Sequence, residues 1–267
     1  MVREVSKERA LSVLEERDRL AYRDAIRYLK KGPSRHVTVR ALASDSGEIL
    51  AVCRQFRATP LEVHLLGDKP GEMLEVIRSL PGKELNLFVT GREAQVLKAL
   101  QPQLSLELVA TRRDLHCSQE TLVAPSTFGP DVVVRLQPVR QLSLRREDIE
   151  LEGERYADWV FQQWDIYFQT PQPVFGILSD GRVVSFCSIA DDGEISLIYT
   201  LKGFRGRGLA KRTLFAATRV MTEQGRLAYY SVDEQNIASM ATALSVGYVE
   251  HAQQMHYTVE FPDRGDG

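Results

Sequence analysis

The segment Leu201-Lys-Gly-Phe-Arg-Gly-Arg-Gly-Leu-Ala210 gathers the residue types that hold a phosphate. Its spacing predicts a loop ending at a helix N-terminus, where backbone N–H groups lack intrahelical partners and the helix dipole is positive. Gly206 and Gly208 carry no side chain to keep a diphosphate from those groups. Lys202, Arg205, Arg207, Lys211 and Arg212 surround them without an intervening acid. The same residues also suit an ordinary turn with a solvated cationic face. A P-loop is excluded because no Gly-Lys-Ser/Thr follows the required spacer, and a dinucleotide fingerprint lacks its third glycine.

Such a loop needs a strand to deliver it and a helix to anchor it. The pattern predicts a hairpin from Val174–Ser179 and Val183–Ala190 around Asp180-Gly181, then a turn at Asp192-Gly193 into a third strand, Glu194–Leu201. A helix over Gly208–Gln224 follows, with Ala210, Leu214, Ala217 and Met221 on one stripe and Gly225 as its stop. A strand at Leu227–Val232, a helix from Ile237 to Val246 capped by Asn236, and strands at Tyr248–Glu250 and His256–Phe261 complete this half. Upstream, Val132–Val139 reads as a strand and Glu154–Gln169 as a helix whose aromatic face is Tyr156, Trp159, Val160, Trp164 and Tyr167.

The first half reads in the same order. A helix through the first thirty residues stops at Gly32-Pro33, and strands follow at His36–Ala43, Ile49–Phe56 and Leu61–Leu66. A helix at Gly71–Leu80, a strand at Glu84–Thr90, a helix at Glu93–Leu100 and a strand at Leu104–Thr111 complete it. The repeated order implies an internal duplication, with breaker-rich Ala124-Pro-Ser-Thr-Phe-Gly-Pro130 separating domains at 1–125 and 131–267. At the turn after the third strand the first half has Gly67-Asp-Lys-Pro-Gly-Glu72, acidic and with a proline inside, so only the second turn suits an anion.

The stretch from Glu194 through Tyr248 resembles the GNAT superfamily of N-acetyltransferases. The family's loop motif falls on Arg205-Gly206-Arg207-Gly208-Leu209-Ala210, and its second motif on Asn236-Ile-Ala-Ser239 ending at Gly247-Tyr248. The resemblance implies an α/β fold of tandem GNAT-like domains, each a mostly antiparallel sheet flanked by helices, the first a degenerate copy. It also implies acetyl-CoA as cosubstrate, with backbone amides from Arg207 to Ala210 on the diphosphate. The pantetheine arm would pair with Ile198, Tyr199, Thr200 and Leu201 beside a strand bulge, with an N–H there polarising the thioester carbonyl. Asn236 and Ser239 would approach the far side of the cosubstrate. Coenzyme A carries a diphosphate and a 3′-phosphate, so a local cationic helix start is its complement.

Direct attack of an amine on a thioester requires a proton acceptor and support for the leaving thiolate. Family members often carry an acidic tyrosine seven residues after the motif asparagine, where this chain has Ala243; Tyr248 or a water is the substitute. Glu194 matches the placement of a glutamate base, and reads equally as a surface residue. Tyr199 serves the acceptor mouth or the core. His251 and His256 suit surface or packing roles, Trp159 and Trp164 suit an acceptor wall or a helix core, and Cys187 sits in strand alternation as a buried apolar residue.

The 267 residues, 43% hydrophobic, suffice for two cores, and the net charge of −2 offers no field for nucleic acid or an anionic membrane. Three scattered cysteines outside any CxxC pattern argue against disulfides and a metal site, and fit a reducing cytoplasm. Neither a signal peptide nor a membrane-spanning run is read. The sequence therefore points to transfer of acetyl from acetyl-CoA to an amine of a small molecule or peptide. The rivals are a non-catalytic acyl-CoA-binding module, which Ala243 favours, and a nucleotide-binding domain of another type. Strands near the C-terminus are compatible with a homodimer.

Overall fold

The computed structural model describes residues 2–32, 37–56, 60–126, 133–136, 173–190 and 193–262. The helix expected over 154–169, with Tyr156, Trp159, Val160, Trp164 and Tyr167, and the turn residues Asp191 and Asp192 lie outside them. The chain forms two compact units: Met1–Asp114 with His251–Gly267, and Leu115–Glu250. Among the described residues no helix is long and apolar enough to cross a membrane.

The first unit runs β1 (Val2–Val5), α1 (Lys7–Asp18), α2 (Arg23–Lys31), β2 (Val37–Ser44), β3 (Ile49–Phe56), β4 (Leu61–Leu65), α3 (Pro70–Ser79), β5 (Glu84–Thr90), α4 (Gly91–Ala99) and the start of β6 (Leu106–Cys117). The single opening helix expected from the sequence is instead a strand and two helices. Val2–Val5 pairs antiparallel with Ser44–Ala41. The helical run breaks at Asp18, whose carboxylate accepts the N–H groups of Leu20 and Ala21, each at 3.0 Å. A short polar side chain thus satisfies backbone groups that would otherwise continue the helix.

Strands β1 to β4 pair antiparallel, and β4 pairs parallel with β5 from Leu61↔Leu85 to His64↔Phe88. Both faces of β3 are buried, and the register shift opposite Leu42 and Ala43 interrupts its alternation. Ile49 and Val52 pack under α1 and α2, whereas Leu50 and Cys53 join the core beneath α3 and α4.

In the second unit come β7 (Val133–Leu136), β8 (Val174–Ser179), β9 (Arg182–Ile189), β10 (Ile195–Thr200), α5 (Leu209–Glu223), β11 (Ala228–Asp233), α6 (Ile237–Ser245) and the start of β12 (Val249–Glu260). Its sheet is antiparallel in the order β10-β9-β8-β7. The first unit's sheet is thus mixed and the second unit's four-stranded sheet antiparallel, each flanked by helices, the α/β architecture that the family resemblance implied.

The division between units differs from the expected boundary at 124–130. β6 is longer than its sequence pattern suggested, and its last residues Leu115 and Cys117 are buried in the second unit's core. The final strands, expected as two in the second half, are one strand, and its portion from His251 belongs to the first unit. There Thr90–Glu84 of β5 pairs antiparallel with Gln254–Glu260, and Tyr257 and Val259 are buried with Leu85, Leu87 and Val89. The last residues of β6 thus enter the second unit's core, and β12 from His251 covers the backbone edge of β5 in the first.

Candidate functional site

The site begins with one extra residue in β10. Ser196 pairs with Ser188 and Tyr199 with Phe186, so three steps on β10 face two on β9. Leu197 takes up the excess at φ 52, a left-handed conformation rare for a branched side chain. The bulge flips the face of the strand. Ile195 packs in the core under α5, whereas Leu197 and Tyr199 are buried in the cluster on the opposite side, the Tyr199 ring 5.8 Å from that of Phe186. Between β10 and β11 only an isolated parallel bridge, Glu194↔Tyr229, is present among the described residues. Beyond it the two strands part.

A short 3₁₀ turn over Lys202–Phe204 leads into the loop, where Gly206 (φ 75) and Gly208 (φ 72) both adopt left-handed conformations. A Cβ built on either glycine would meet nothing within 4 Å, so these residues are demanded by backbone conformation and face open space. Gly208 is the N-cap of α5 and supplies no side-chain cap; the first turn is closed by Arg212 N–H on the Gly208 carbonyl at 3.2 Å. The N–H groups of Leu209, Ala210 and Lys211 thus precede the helical ladder. Arg205 Nε donates to the Thr200 carbonyl at 2.9 Å and Arg207 Nη2 to the Gly203 carbonyl at 3.0 Å, which ties the loop to the strand it leaves. Arg212, one of the five cations expected at this helix start, is buried instead.

The opposite wall is the first half of α6. Asn236 caps it, accepting Ser239 N–H at 3.1 Å, and the Ser239 hydroxyl lies 2.8 Å from that of Tyr230 on β11. Gly247, just past α6, has φ 97, and a Cβ there would collide with the Thr121 carbonyl, so the Gly-Tyr dipeptide is a packing requirement.

Between these walls opens a cleft of ≈ 420 Å³. Of the residues expected from sequence, Ile198, Tyr199, Thr200, Arg205, Gly206, Gly208, Leu209, Ala210, Asn236 and Ser239 line it, together with Phe204, Lys211, Ala238 and Thr242. Leu201 and Arg207 do not: Leu201 is buried in the core and Arg207 lies over the Phe204 ring at 5.0 Å. Ala238 and Thr242 escaped the sequence reading, although their i, i+4 spacing on a capped helix was a usable signal.

Other expected side chains are elsewhere. Tyr248 is only 2% exposed, its hydroxyl 2.8 Å from that of Thr218, and burial holds its pKa well above the usual tyrosine value; it does not line the cleft. A phenol locked in the core has no path to a leaving group, so the structure removes the expected substitute acid from the site. Ala243 is fully buried. Glu194 starts the strand that supplies the cleft but does not line it. Cys187 is buried, its thiol pKa raised by burial. In the first unit, His251 faces Asp18 at 3.3 Å and His256 stacks on Phe88 at 4.5 Å. Trp159 and Trp164 fall outside the described residues. Among the described residues no group of His, Cys, Asp and Glu could hold a metal ion.

The comparisons with known proteins bear on this cleft. Residues 139–248 match the model of the acetyltransferase (GNAT) family. Over nearly its whole length the chain has a fold similar to a GCN5-related N-acetyltransferase from Sphaerobacter thermophilus (14% identity, 100% of this chain and 97% of that chain, TM-score 0.63). It is also similar to a GNAT-family acetyltransferase from Colwellia psychrerythraea (15%, 98% and 99%, TM-score 0.58). A third likeness is to a tandem GNAT protein from the clavulanic acid biosynthesis pathway (12%, 97% and 98%, TM-score 0.60). No curated protein sequence matches the chain.

Proposed function

We propose that the protein transfers an acetyl group from acetyl-CoA to an amine of a small molecule or peptide, with the first unit as a degenerate counterpart of the second; the match of residues 139–248 to the acetyltransferase (GNAT) family model supports this reading. One observation carries this reading: the bulge at Leu197 and the two left-handed glycines open on a single cleft, with space where their side chains would stand. The open cradle fits a diphosphate, since N–H groups at the start of α5 and the side chains of Arg205 and Lys211 border it. Gly206, Gly208, Leu209 and Ala210 would hold the diphosphate, Ile198, Tyr199 and Thr200 the pantetheine arm, and Asn236 and Ser239 its far side. Acetyl-CoA supplies an activated acyl carbon on a thiol that can leave.

In the overall reaction the amine nitrogen bonds to the acyl carbon, the C–S bond breaks with its electron pair on sulfur, the nitrogen loses a proton and the sulfur gains one. The proposed acceptor of the amine proton is Glu194, which stands one residue before the strand that lines the cleft and outside the cleft's lining, so the proton would reach it through solvent. Calorimetry with CoA tests the reading at its base; no uptake at millimolar ligand ends it. Thiol release from acetyl-CoA with a panel of amines separates an enzyme from an acyl-CoA-binding module, the reading that Ala243 favours. Glu194→Gln should lower turnover about 100-fold with CoA affinity unchanged; unaltered turnover at every pH removes it from the reaction.

A further inference from the structure

A thiol departing from the cleft needs a hydrogen-bond donor, and the hydroxyls lining the cleft are unequal in what they have left to give. The Thr242 hydroxyl donates to the Ala238 carbonyl at 2.8 Å, and the Tyr199 ring is turned into the core against Phe186. Thr200 shares its hydroxyl with buried Ser185 at 2.8 Å, and Ser185 lies 3.2 Å from Thr213, whose proton goes to the Leu209 carbonyl. Ser239 differs because it is held from two sides: Asn236 takes its backbone N–H, and Tyr230 meets its hydroxyl.

Resting on the acyl-transfer reading above, we infer that Tyr230 is a positioning residue, donating its phenolic proton to Ser239 Oγ and so turning the Ser239 hydroxyl proton toward the sulfur that leaves the acyl group. The direction follows from acidity. A phenol is a far stronger donor than an aliphatic alcohol, so the tyrosine donates and the serine accepts. Tyr230 is 6% exposed and burial raises its pKa, which keeps it a phenol at neutral pH. A serine that accepts such a bond has one proton left, and donating in sequence strengthens it. Ser239 and Ala243 stand four residues apart on one face of α6, and Ala243, fully buried, offers no hydroxyl. The strand β11 therefore brings to that helix face the group that the helix itself lacks. As the C–S bond breaks, Ser239 donates a hydrogen bond to the sulfur; the proton that finally neutralises it balances the one lost by the amine.

The test needs no acceptor. CoA, with its free thiol, is bound to the full-length protein, and its thiolate is titrated by ultraviolet absorbance while calorimetry follows affinity. The bound thiol should ionise about one pH unit below that of free CoA. Tyr230→Phe, which keeps the ring, should erase most of that shift without loss of CoA affinity, and Ser239→Ala should erase it as well. A thiol that ionises identically in the wild type and Tyr230→Phe, with CoA bound in both, overturns the inference and leaves the acyl-transfer reading intact. Should Tyr230→Phe fail to fold, an unshifted titration in Ser239→Ala overturns it equally. Absence of CoA uptake by the wild type sinks the reading and the inference together.

Discussion

The two units share a run of three antiparallel strands, a helix, a strand and a helix, yet they leave very different space where the third strand meets the fourth. In the first unit β4 carries no bulge and pairs with β5 residue by residue as far as His64↔Phe88. The His64 ring stacks on Phe88 at 5.0 Å, Tyr28 packs edge-on against it at 5.1 Å, and the void left at the ends of the two strands is ≈ 10 Å³. That is room for about one water. In the second unit β10 has one residue more, the pairing with β11 stops at Glu194↔Tyr229, and the void is ≈ 420 Å³.

Other details match closely. The N–H after each third strand bonds back to the second, Leu66 to Leu50 and Leu201 to Val184, and each strand end has a carbonyl held by an arginine, Leu66 by Arg17 and Thr200 by Arg205. The turns diverge again: Pro70 and the Lys69–Glu72 pair occupy the first, left-handed glycines the second. A ligand site here is a one-residue change in register plus two glycines on a common topology.

The largest break of this comparison should come from ending the chain after Glu250. That cut lies in the second half, but it removes Tyr257 and Val259 and partly buried Met255 from the first unit's core. At about 1.5–3 kcal/mol per buried side chain, the loss rivals the whole stability of a domain. The first unit should become protease-sensitive and lose its cooperative melting transition; an unchanged transition would show that β12 is dispensable there.

Next in size is Gly208→Glu, which forces a side chain into a left-handed position and sets a negative charge on the cradle. CoA affinity in calorimetry should fall roughly 100-fold or more. Deleting Leu197 sharpens the comparison most directly. Without it Ile198 would face Cys187 and Tyr199 would keep Phe186, giving β10 the regular pairing of β4. The fold should survive with a melting temperature a few degrees lower, at about 2 kcal/mol for the lost side chain. CoA affinity should drop about tenfold as β10 zips onto β11; retained affinity would show that the bulge does not make the cleft.

The smallest effect concerns His64, two residues before Leu66 as Tyr199 is two before Leu201. Burial is the main cause that lowers its pKa from 6.5 to about 4. The unfolded chain therefore takes up a proton that the folded one refuses. Stability present above pH 6.5 is lost as pH falls toward 4, by on the order of 3 kcal/mol. His64→Phe should change little at pH 7 and flatten that acid limb in chemical denaturation.

The loop from Arg205 to Ala210 was legible in the sequence because its signals are local: glycines, cations and a helix start in succession. The bulge was not. Ile195-Ser-Leu-Ile-Tyr-Thr200 has the apolar content of an ordinary strand, with neither glycine nor proline to mark the extra residue. The strand character of Val249–Glu260 was readable in part, but its partner was not, since pairing with β5 joins residues far apart in sequence. The burial of Tyr248 and the meeting of Tyr230 with Ser239 were hidden for the same reason, as both depend on what lies across the core.

The return of β12 to the first unit has a consequence for synthesis. While the ribosome makes the second half, the first waits as an incomplete sheet, with the backbone edge of β5 unsatisfied and Leu85, Leu87 and Val89 lacking their cover. Neither half can be finished before the other, so maturation of the nascent chain is one closing event, and expression of either half alone should yield aggregates.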